Sequence, residues 1–366
     1  MEILRSDHII MTLDAGGTNF VFSAIKQAEE VVKPIVLPAY GHDLDKCLRN
    51  IIKGFEALLG ELKEKPAAIS FAFPGPADYA RGIIGDLGNL PGFRGGVALG
   101  PMLEEHFKMP VFINNDGDLF AYGEAIYGLL PQVNKQLKEA GSEKQFENLV
   151  GLTLGTGFGG GLVRNNELFM GDNGAAAEVW LLRNPFDGNT FAEESISARS
   201  ITGQYQLLAG VADKNLTPLD VYCIATGNKE GNTAAAKESF KLFGRALGMA
   251  LAEIVTFVDG LVVIGGGLAN ARDLFFPSML EEMNGYFHSS NAEKVKKLVM
   301  KVYDLHDDEA FGKFASGESR TIKVPYSSQE IQYDPEKRIG VGVSQLGASK
   351  AISLGACAFA LNKLGL

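Results

Sequence analysis

The hydrophobic positions of the N-terminal region predict an α/β domain. Residues 9–13 form an apolar, β-prone run, and residues 20–25 form a second run so close behind it that only a hairpin can join the two. Between residues 44–62, apolar side chains recur in steps of three and four, which predicts a helix with Asp43 as its N-cap. Residues 67–73 predict another strand. Strands followed by helices are typical of α/β domains.

The pattern of this opening hairpin returns about 140 residues later. Residues 149–154 predict a strand, residues 155–157 a tight glycine turn, and residues 159–163 the return strand. A third glycine cluster follows a strand predicted at 260–264, and residues 346–361 predict a final apolar helix. The repetition favours two related halves over an array of short repeats.

Other segments carry weaker patterns. A strand is predicted at 110–113 and a helix at about 118–129. Residues 287–337 are polar and irregular, with short strands predicted near 320–333. Within them, the charged segment 293–301 predicts a solvated helix face.

Composition narrows the class of protein. A chain of 366 residues favours two domains, and 46% apolar with 21% charged residues is typical of globular proteins. The net charge of −10 disfavours nucleic acid or an anionic membrane as a partner. Three well-separated cysteines indicate a reducing compartment. The sequence shows no secretory signal and no membrane span, so we expect a cytoplasmic protein.

Glycine is over-represented, with 44 residues, and much of it lies in the three turns. Glycine permits positive φ and lets a ligand approach the backbone, and successive backbone amides can hold phosphate oxygens. Asp14, beside the first turn, cannot bind phosphate but can hold Mg²⁺, directly or through water. No turn has the Gly-Lys-Ser/Thr core of a Walker loop. A single turn of this kind is usually only a hairpin closure; three together favour phosphate binding.

Taken in order, these motifs resemble those of the ROK family of sugar kinases and repressors, within the actin and hexokinase ATPase superfamily. The resemblance covers most of the chain. Its segments are the first phosphate motif at 13–18, the sugar-side loops at 74–78 and 89–93, the Asn-Asp motif and its helix at 115–124, the second phosphate motif at 154–161, the adenosine-side turn at 263–267 and the closing helix at 346–356.

The resemblance implies an α/β, two-lobed, actin-like ATPase fold of the ribonuclease H-like type, with the active site in the cleft between the lobes. The first lobe would comprise residues 1–118 and 348–366, and the second residues 119–347. The implied activity is that of an ATP-dependent, glucokinase-like enzyme that phosphorylates a hexose or an N-acetylhexosamine at carbon six. The resemblance further implies ATP and Mg²⁺ as cofactors and a homo-oligomer, either a dimer or a tetramer.

Phosphoryl transfer to a sugar requires a base that takes the hydroxyl proton, and Asp116 matches the family's catalytic aspartate. From the residues alone, Asp116 could equally be a helix N-cap, and the asparagines could be turn residues. The resemblance assigns sugar binding to Gly75, Asn89, Asn115, Asp116, Glu178 and Glu193. It assigns ATP binding to Asp14, Gly16, Gly17, Thr18, Thr156, Gly157, Gly265, Gly266 and Gly267, with Asp14 also serving Mg²⁺.

The chain departs from the family pattern at two points. Leu181 stands where family kinases have histidine, and the cysteines of the family's zinc loop are missing. No Cys or His occurs between residues 107 and 222, so we predict no structural zinc. The missing histidine leaves both the identity of the sugar and the kinase activity itself open.

Two alternatives to a kinase follow from the same resemblance. A sugar-responsive transcriptional regulator would need a helix-turn-helix domain before the first phosphate motif, and only 13 residues precede Asp14. A catalytically weak sugar-binding protein is the other alternative, which Leu181 favours. The sequence does not identify the sugar.

Overall fold

Two mixed sheets organise the chain, whose computed structural model describes residues 6–88 and 90–366. In chain order the strands are β1 (Ile10–Ala15), β2 (Asn19–Lys26), β3 (Glu29–Glu30), β4 (Ile35–Pro38), β5 (Ala68–Ala72), β6 (Ala77–Asp78), β7 (Ile83–Ile84), β8 (Val111–Asn114), β9 (Leu149–Leu154), β10 (Phe158–Arg164), β11 (Glu167–Leu168), β12 (Leu261–Gly265), β13 (Tyr286–His288), β14 (Lys294–Lys296), β15 (Lys301–Asp304), β16 (Arg320–Lys323), β17 (Glu330–Tyr333) and β18 (Arg338–Val343).

The helices are α1 (Leu44–Glu61), α2 (Leu99–Phe107), α3 (Asp116–Ile126), α4 (Leu129–Glu139), α5 (Ala198–Ala209), α6 (Pro218–Ala225), α7 (Thr233–Val258), α8 (Arg272–Met283), α9 (Asp308–Ser316) and α10 (Ala348–Leu364). None of the helices in the described ranges is both long enough and apolar enough to cross a membrane.

The chain divides into two compact units. The first contains residues 6–128, Gly161–Ala177 and Gln345–Leu366, and the second contains Leu129–Gly160 and Glu178–Ser344. The final helix therefore belongs with the N-terminal part of the chain.

These units and the lobes expected from the resemblance have different boundaries. Residues 119–128 and 161–177, which the expected division places in the second lobe, lie in the first unit. A boundary at residue 118 would cut α3, which is continuous from Asp116 to Ile126.

In the first unit, the sheet order is β3-β2-β1-β5-β8, with β4 also paired to β2. β1 runs antiparallel to β2 and parallel to β5, and β5 runs parallel to β8. One face of the sheet carries a phenylalanine-rich core shared with α1, in which the rings of Phe22 and Phe55 meet edge to face at 5.0 Å. The other face packs against α10 through residues that include Ile10, Ala68 and Leu354.

The helix predicted at 44–62 is α1, and its predicted cap is confirmed. The Asp43 side chain accepts a hydrogen bond from the backbone N–H of Lys46 at 3.1 Å, which satisfies one of the free donors of the first turn. Leu62 ends the helix in an extended conformation.

Two glycines bring α3 and α10 into direct backbone contact. A Cβ on Gly123 would stand 1.9 Å from the carbonyl oxygen of Ala351, and a Cβ on Gly355 would stand 1.9 Å from that of Leu119. No side chain can occupy either position, so the helices cross at closer range than side-chain packing would allow. This crossing fixes α3, and with it the residue at its N-terminus, against the sheet.

The second sheet runs β11-β10-β9-β12-β18-β15, and β9, β12, β18 and β15 are parallel. Both sheets have the same order. In each, two strands joined by a glycine turn form a hairpin, and the first strand of that hairpin pairs on its other side with a parallel strand. Parallel strands present their carboxyl ends at one edge, which is where open α/β sheets bind ligands.

The prediction of a helix face at 293–301 is wrong. Lys294–Lys296 form β14, which pairs antiparallel with β13 so that Val295 lies opposite Phe287. Val295 between two lysines has the two-residue alternation of a strand, whereas the prediction considered only the density of charge. The strands predicted near 320–333 are present as the hairpin β16–β17.

We expect Gly355→Ala to destabilise the protein by about 1–3 kcal/mol, because the added methyl would force two helix backbones apart. Urea unfolding measures the change. Gly60→Ala in α1 is the matched control, since a Cβ there meets no atom within 4 Å and alanine is the better helix former by about 1 kcal/mol. Equal stability of the Gly355 variant and wild type would contradict the proposed backbone contact.

Candidate functional site

The first glycine turn lies at the carboxyl end of β1. Leu13 is buried, whereas Asp14, the next residue, is exposed at the start of the turn. A Cβ on Gly16 would approach the carbonyl oxygen of Asn19 to 2.8 Å, so the turn itself requires glycine there. A Cβ on Gly17 would meet nothing within 4 Å, which leaves open space over the backbone between Gly17 and Thr18.

Asp116 is the first residue of α3, and the cap of that helix is its neighbour. The Asn115 Oδ1 accepts the Gly117 N–H at 2.7 Å, and the same N–H lies 2.9 Å from the Asp116 Oδ1. The alternative that Asp116 is merely an N-cap is therefore wrong. Asn115 uses its side-chain carbonyl oxygen as the cap.

The environment of Asp116 disfavours its charged form. The carboxylate retains accessible surface, yet the surrounding protein atoms strip away enough water to raise its pKa above the usual range. The backbone N–H groups of Gly117 and Asp116 oppose this rise, and the negative charge of Asp14 adds to it.

The remaining predicted sugar-side residues of the first unit follow β5 and precede α2. Gly75 lies after the end of β5, where the Phe73 N–H donates to the Asn114 carbonyl at 3.0 Å and the Tyr79 hydroxyl donates to the Phe73 carbonyl at 3.1 Å. The peptide bond between Gly75 and Pro76 is cis. Asn89 lies outside the described residues.

The second glycine turn joins β9 to β10. The Gly155 N–H donates to the Gly157 carbonyl at 3.1 Å, which closes the turn, and Thr156 is exposed at its tip. A Cβ on Gly155 would meet nothing within 4 Å, whereas one on Gly157 would lie 2.7 Å from the Oε2 of Glu193. The two glycines therefore serve different purposes.

Glu193, predicted to bind sugar, is engaged with this turn. Its Oε2 accepts the Phe158 N–H at 3.0 Å, and its Oε1 lies 3.1 Å from the Arg199 guanidinium. In addition, the Ala198 N–H donates to the Gly155 carbonyl at 2.8 Å. Sequence reasoning missed Arg199, because nothing in the local pattern links it to Glu193.

The third glycine cluster follows β12. Gly266 has a φ of 86°, and a Cβ there would lie 2.3 Å from the Leu154 carbonyl oxygen, so only glycine fits between the strands. Gly265 ends the strand, and Gly267 begins a 3₁₀-helix with open space at its Cβ position.

Glu178 lies just before a second 3₁₀-helix, Val179–Leu181. Its Oε2 accepts a hydrogen bond from the Trp180 indole N–H, and the Trp180 ring packs edge to face on Phe191 at 5.6 Å. Leu181, at the position where the resemblance expects histidine, is 57% exposed.

The buried Asn184 ties this segment together. Its amide donates to the Thr190 hydroxyl at 2.9 Å, and its carbonyl oxygen accepts from the Ser195 hydroxyl and the Phe186 N–H, each also at 2.9 Å. Sequence reasoning missed both residues: Asn184 belongs to no motif, and Trp180 lies in the segment of Glu178 and Leu181 but was given no role there.

The structure thus groups the predicted residues by unit. Asp14, Gly16, Gly17, Thr18, Gly75, Asn115 and Asp116 lie in the first unit, and Thr156, Gly157, Glu178, Glu193, Gly265, Gly266 and Gly267 lie in the second. Across residues 6–88 and 90–366, no three His, Cys, Asp or Glu side chains are grouped so that they could hold a metal ion.

Comparison with known proteins gives a consistent result. The family model described as ROK family matches residues 10–315. The N-acetyl-D-glucosamine kinase of Vibrio cholerae is 30% identical over 73% of this chain and 86% of its own length. The glucokinase of Halalkalibacterium halodurans is 28% identical over 77% of this chain and 87% of its own.

A solved structure agrees with these relatives. The crystal structure of a glucokinase from Parabacteroides distasonis superposes with a TM-score of 0.90 at 50% identity, covering 99% of both chains. The predicted fold class, a mixed α/β, two-lobed ATPase fold of the actin type, is confirmed.

We expect Asp116→Asn to raise the free energy of unfolding at neutral pH. The pKa of Asp116 is higher in the folded than in the unfolded chain, so ionisation of Asp116 lowers the stability of the folded protein. This loss of stability is fully present above the folded-state pKa and disappears below the unfolded-state pKa. The gain should therefore shrink as pH falls. Unfolding measured across pH checks this, with the exposed cap substitution Asp307→Asn as control. A variant that is less stable at every pH would contradict it.

Proposed function

The chain belongs to the ROK family, and we propose that it is an ATP-dependent sugar kinase in which Asp116 is the catalytic base. The observation that carries this proposal is the partly desolvated Asp116 carboxylate at the carboxyl edge of the first sheet. The N-cap of α3 is Asn115 and not Asp116. A carboxylate with a raised pKa is a stronger proton acceptor than an ordinary one.

In the proposed reaction, the sugar hydroxyl oxygen attacks the γ-phosphorus of ATP. The bond between that phosphorus and the β,γ-bridging oxygen breaks, its electron pair leaves with ADP, and the hydroxyl proton passes to Asp116. The chain's other contribution is positioning, because little covalent chemistry is left for the protein in phosphoryl transfer.

The nucleotide would be held by the three glycine turns. Gly17, Gly155 and Gly267 each have free space where a Cβ would stand, so phosphate oxygens can approach the backbone at all three. The exposed Asp14 carboxylate beside the first turn would hold Mg²⁺, directly or through water, because carboxylate oxygens are ligands that Mg²⁺ prefers. Bound there with ATP, Mg²⁺ would offset the phosphate charge.

The acceptor proposed is a hexose or an N-acetylhexosamine, phosphorylated at carbon six. Relatives named glucokinase and N-acetyl-D-glucosamine kinase support both sugar classes. The Asn115 amide and the Glu178 carboxylate would bind sugar hydroxyls, and the bond from Trp180 would orient Glu178. Asn89 and Gly75 would complete the sugar side.

A second candidate function is that of a sugar-binding protein with weak catalysis. It is favoured by the exposed Leu181, which presents no polar group where family kinases have histidine. Sugar-dependent ATP turnover by the wild-type protein separates the two functions.

We also propose a cytoplasmic location and a homo-oligomer. Exposed apolar side chains such as Leu207, Leu219 and Phe257 support the oligomer, because a second subunit could bury them.

Asp116→Asn should lower kcat by about 10²–10⁴-fold, because it keeps the shape and a hydrogen-bond acceptor but removes the proton acceptor. Steady-state assays over glucose and N-acetylglucosamine, with sugar binding measured by calorimetry, check this. Sugar affinity should change little. Since the pKa of Asp116 is raised, wild-type kcat should already fall at a pH where an ordinary aspartate is still ionised.

Asp307→Asn is the matched control, as Asp307 only caps α9 through the Ala310 N–H at 2.7 Å. It should leave kcat at the wild-type value. Near-normal turnover by Asp116→Asn would refute the assignment of the base, and wild-type protein without sugar-dependent turnover would refute the kinase itself.

We expect Mg²⁺ to be required and zinc to be dispensable. EDTA should abolish turnover and Mg²⁺ restore it, while elemental analysis of the purified protein should find no stoichiometric zinc. Asp14→Asn should raise the Mg²⁺ concentration for half-maximal activity by roughly tenfold or more, as the loss of an outer-shell partner does at other metal sites. An unchanged Mg²⁺ dependence would remove Asp14 from the metal site.

A further inference from the structure

We infer that two exposed β-hairpins of the second unit, β13–β14 and β16–β17, form the surface through which this chain pairs with a second copy of itself. The inference rests on the homo-oligomer proposed above and on no step of the proposed phosphoryl transfer. It assigns the contact to residues 286–299 and 320–333, which we call the hairpin surface.

The first observation is that neither hairpin is covered by the rest of its own chain. Every residue of β13, β14 and β17 is exposed, and in β16 only Ile322 is half-buried. In the described part of the chain, each hairpin forms a sheet of only two strands. Such a hairpin is at best marginally stable in water and normally requires a third strand or a packed face. Both hairpins therefore lack the cover that a hairpin normally has.

The second observation is the alternation of apolar and polar side chains along β16–β17. Cross-strand partners share a face, and successive pairs point to opposite faces. Ile322 lies opposite Ile331, whereas the neighbouring pair of Thr321 and Gln332 is polar and joined by a hydrogen bond of 2.9 Å. Tyr333, two residues beyond Ile331, is again on the apolar face. One apolar and one polar face is the pattern of a sheet that buries one side.

The other hairpin alternates in the same way. Phe287 lies opposite Val295, and each of the two flanking cross-strand pairs contains a lysine. Val299, just beyond β14, is also exposed. Both hairpins therefore present an apolar face with nothing of the same chain packed on it.

The third observation is that the two hairpins extend from the same edge of the second sheet. β14 ends five residues before Lys301, the first residue of β15, and β17 ends five residues before Arg338, the first residue of β18. Lys301 and Arg338 are partners in adjacent parallel strands. Because a chain spans at most about 3.6 Å per residue, each hairpin approaches this pair to within about 18 Å. Both lie at the amino edge, opposite the carboxyl edge that carries the second and third glycine turns.

The fourth observation is that each hairpin is attached at its base. The buried Arg338 donates to the Asp334 carboxylate, whose Oδ1 also accepts the Glu318 N–H at 3.2 Å, so the two ends of β16–β17 are joined. Directly after β14, Lys297 forms an ion pair with the buried Glu282 of α8. A surface held in this way loses little conformational entropy when it binds a partner.

Charge favours a second copy of this chain as that partner. Residues 286–338 contain nine acidic and nine basic side chains, so the net charge of −10 lies entirely in the rest of the chain. Two copies therefore repel each other elsewhere and can approach at this neutral end. A neutral surface does not attract nucleic acid or an anionic membrane. A neutral, apolar face is also self-complementary, as a two-fold contact between identical subunits requires.

The exposed apolar area is of the size that a dimer needs. The aromatic residues of the hairpin surface, Tyr286, Phe287, Tyr326 and Tyr333, are between 43% and 110% exposed. At about 200 Å² for each aromatic side chain, they offer a partner about 500 Å². The exposed aliphatic residues add to this area, and a standard interface takes about 800 Å² from each partner.

Sedimentation velocity of the full chain over a range of concentrations tests the inference. Ile331→Lys places a charge on the apolar face of β17, and in a two-fold contact the second copy carries the same charge. Val295→Lys does the same on β14. Each variant should weaken self-association about a hundredfold or more, because like charges across an interface strongly oppose binding. Wild-type association in both variants would overturn the inference.

Gln332→Lys is the matched control. It adds the same charge to the next residue of β17 but on the polar face, so self-association should keep its wild-type strength. Leu207→Lys tests the exposed side chain on α5 as an alternative contact and should also leave association unchanged. Dissociation by Leu207→Lys with none by the two hairpin variants would overturn the inference. A wild-type protein that is monomeric throughout would overturn it together with the proposed homo-oligomer.

Hydrogen exchange of the wild-type protein gives a readout that needs no substitution. On dilution, the amides of residues 286–299 and 320–333 should lose protection, because an uncovered hairpin opens more readily, while those of the central strand β12 should not. Exchange of both hairpins that does not depend on concentration would overturn the inference. Neither measurement uses catalysis, so a lack of sugar-dependent turnover would refute the proposed kinase and leave this inference standing.

Discussion

The backbone contact between α3 and α10 is the constraint on which the proposed chemistry depends. Because Gly123 and Gly355 have no side chains, each helix lies against a carbonyl group of the other. α10 in turn covers one face of the first sheet through Leu354 and its neighbours. Asp116 begins α3, so the position of the carboxylate proposed as the base depends on residues more than two hundred positions later in the chain.

Asp116 and Glu193, both predicted to bind the sugar, show how the surroundings of a carboxylate determine its properties. Desolvation by the neighbouring protein atoms raises the pKa of the Asp116 carboxyl, which suits its proposed role as the base. The Glu193 carboxylate is paired with Arg199 and bonded to the Phe158 backbone, so it is suited to holding structure. The surroundings of Asp116 lower the stability of the folded protein, whereas the contacts of Glu193 raise it. Such a difference is expected where folding and catalysis require different environments.

The glycine turns show the same division at the level of the backbone. Gly16, Gly157 and Gly266 are required because neighbouring atoms leave no room for a Cβ. Gly17, Gly155 and Gly267 have open space instead and leave the backbone accessible. A glycine motif therefore contains both residues that the turn requires and residues with open space at the Cβ position, and the sequence alone does not distinguish them.

The sequence by itself determined the features that depend on neighbouring residues. The three-and-four spacing and Asp43 predicted α1 with its cap, the apolar runs and glycine turns predicted both hairpins, and the ordered motifs predicted the family and its fold. The density of charge at 293–301 predicted a helix face, but Lys294–Lys296 form a strand whose lysines alternate with Val295. Only the tertiary structure decided that Asn115 caps α3, that Glu193 accepts the Phe158 N–H and that Trp180 donates a hydrogen bond to Glu178. Periodicity and capping act over a few residues and can be read along the chain, whereas these roles arise from groups that folding brings together from distant or unpatterned positions.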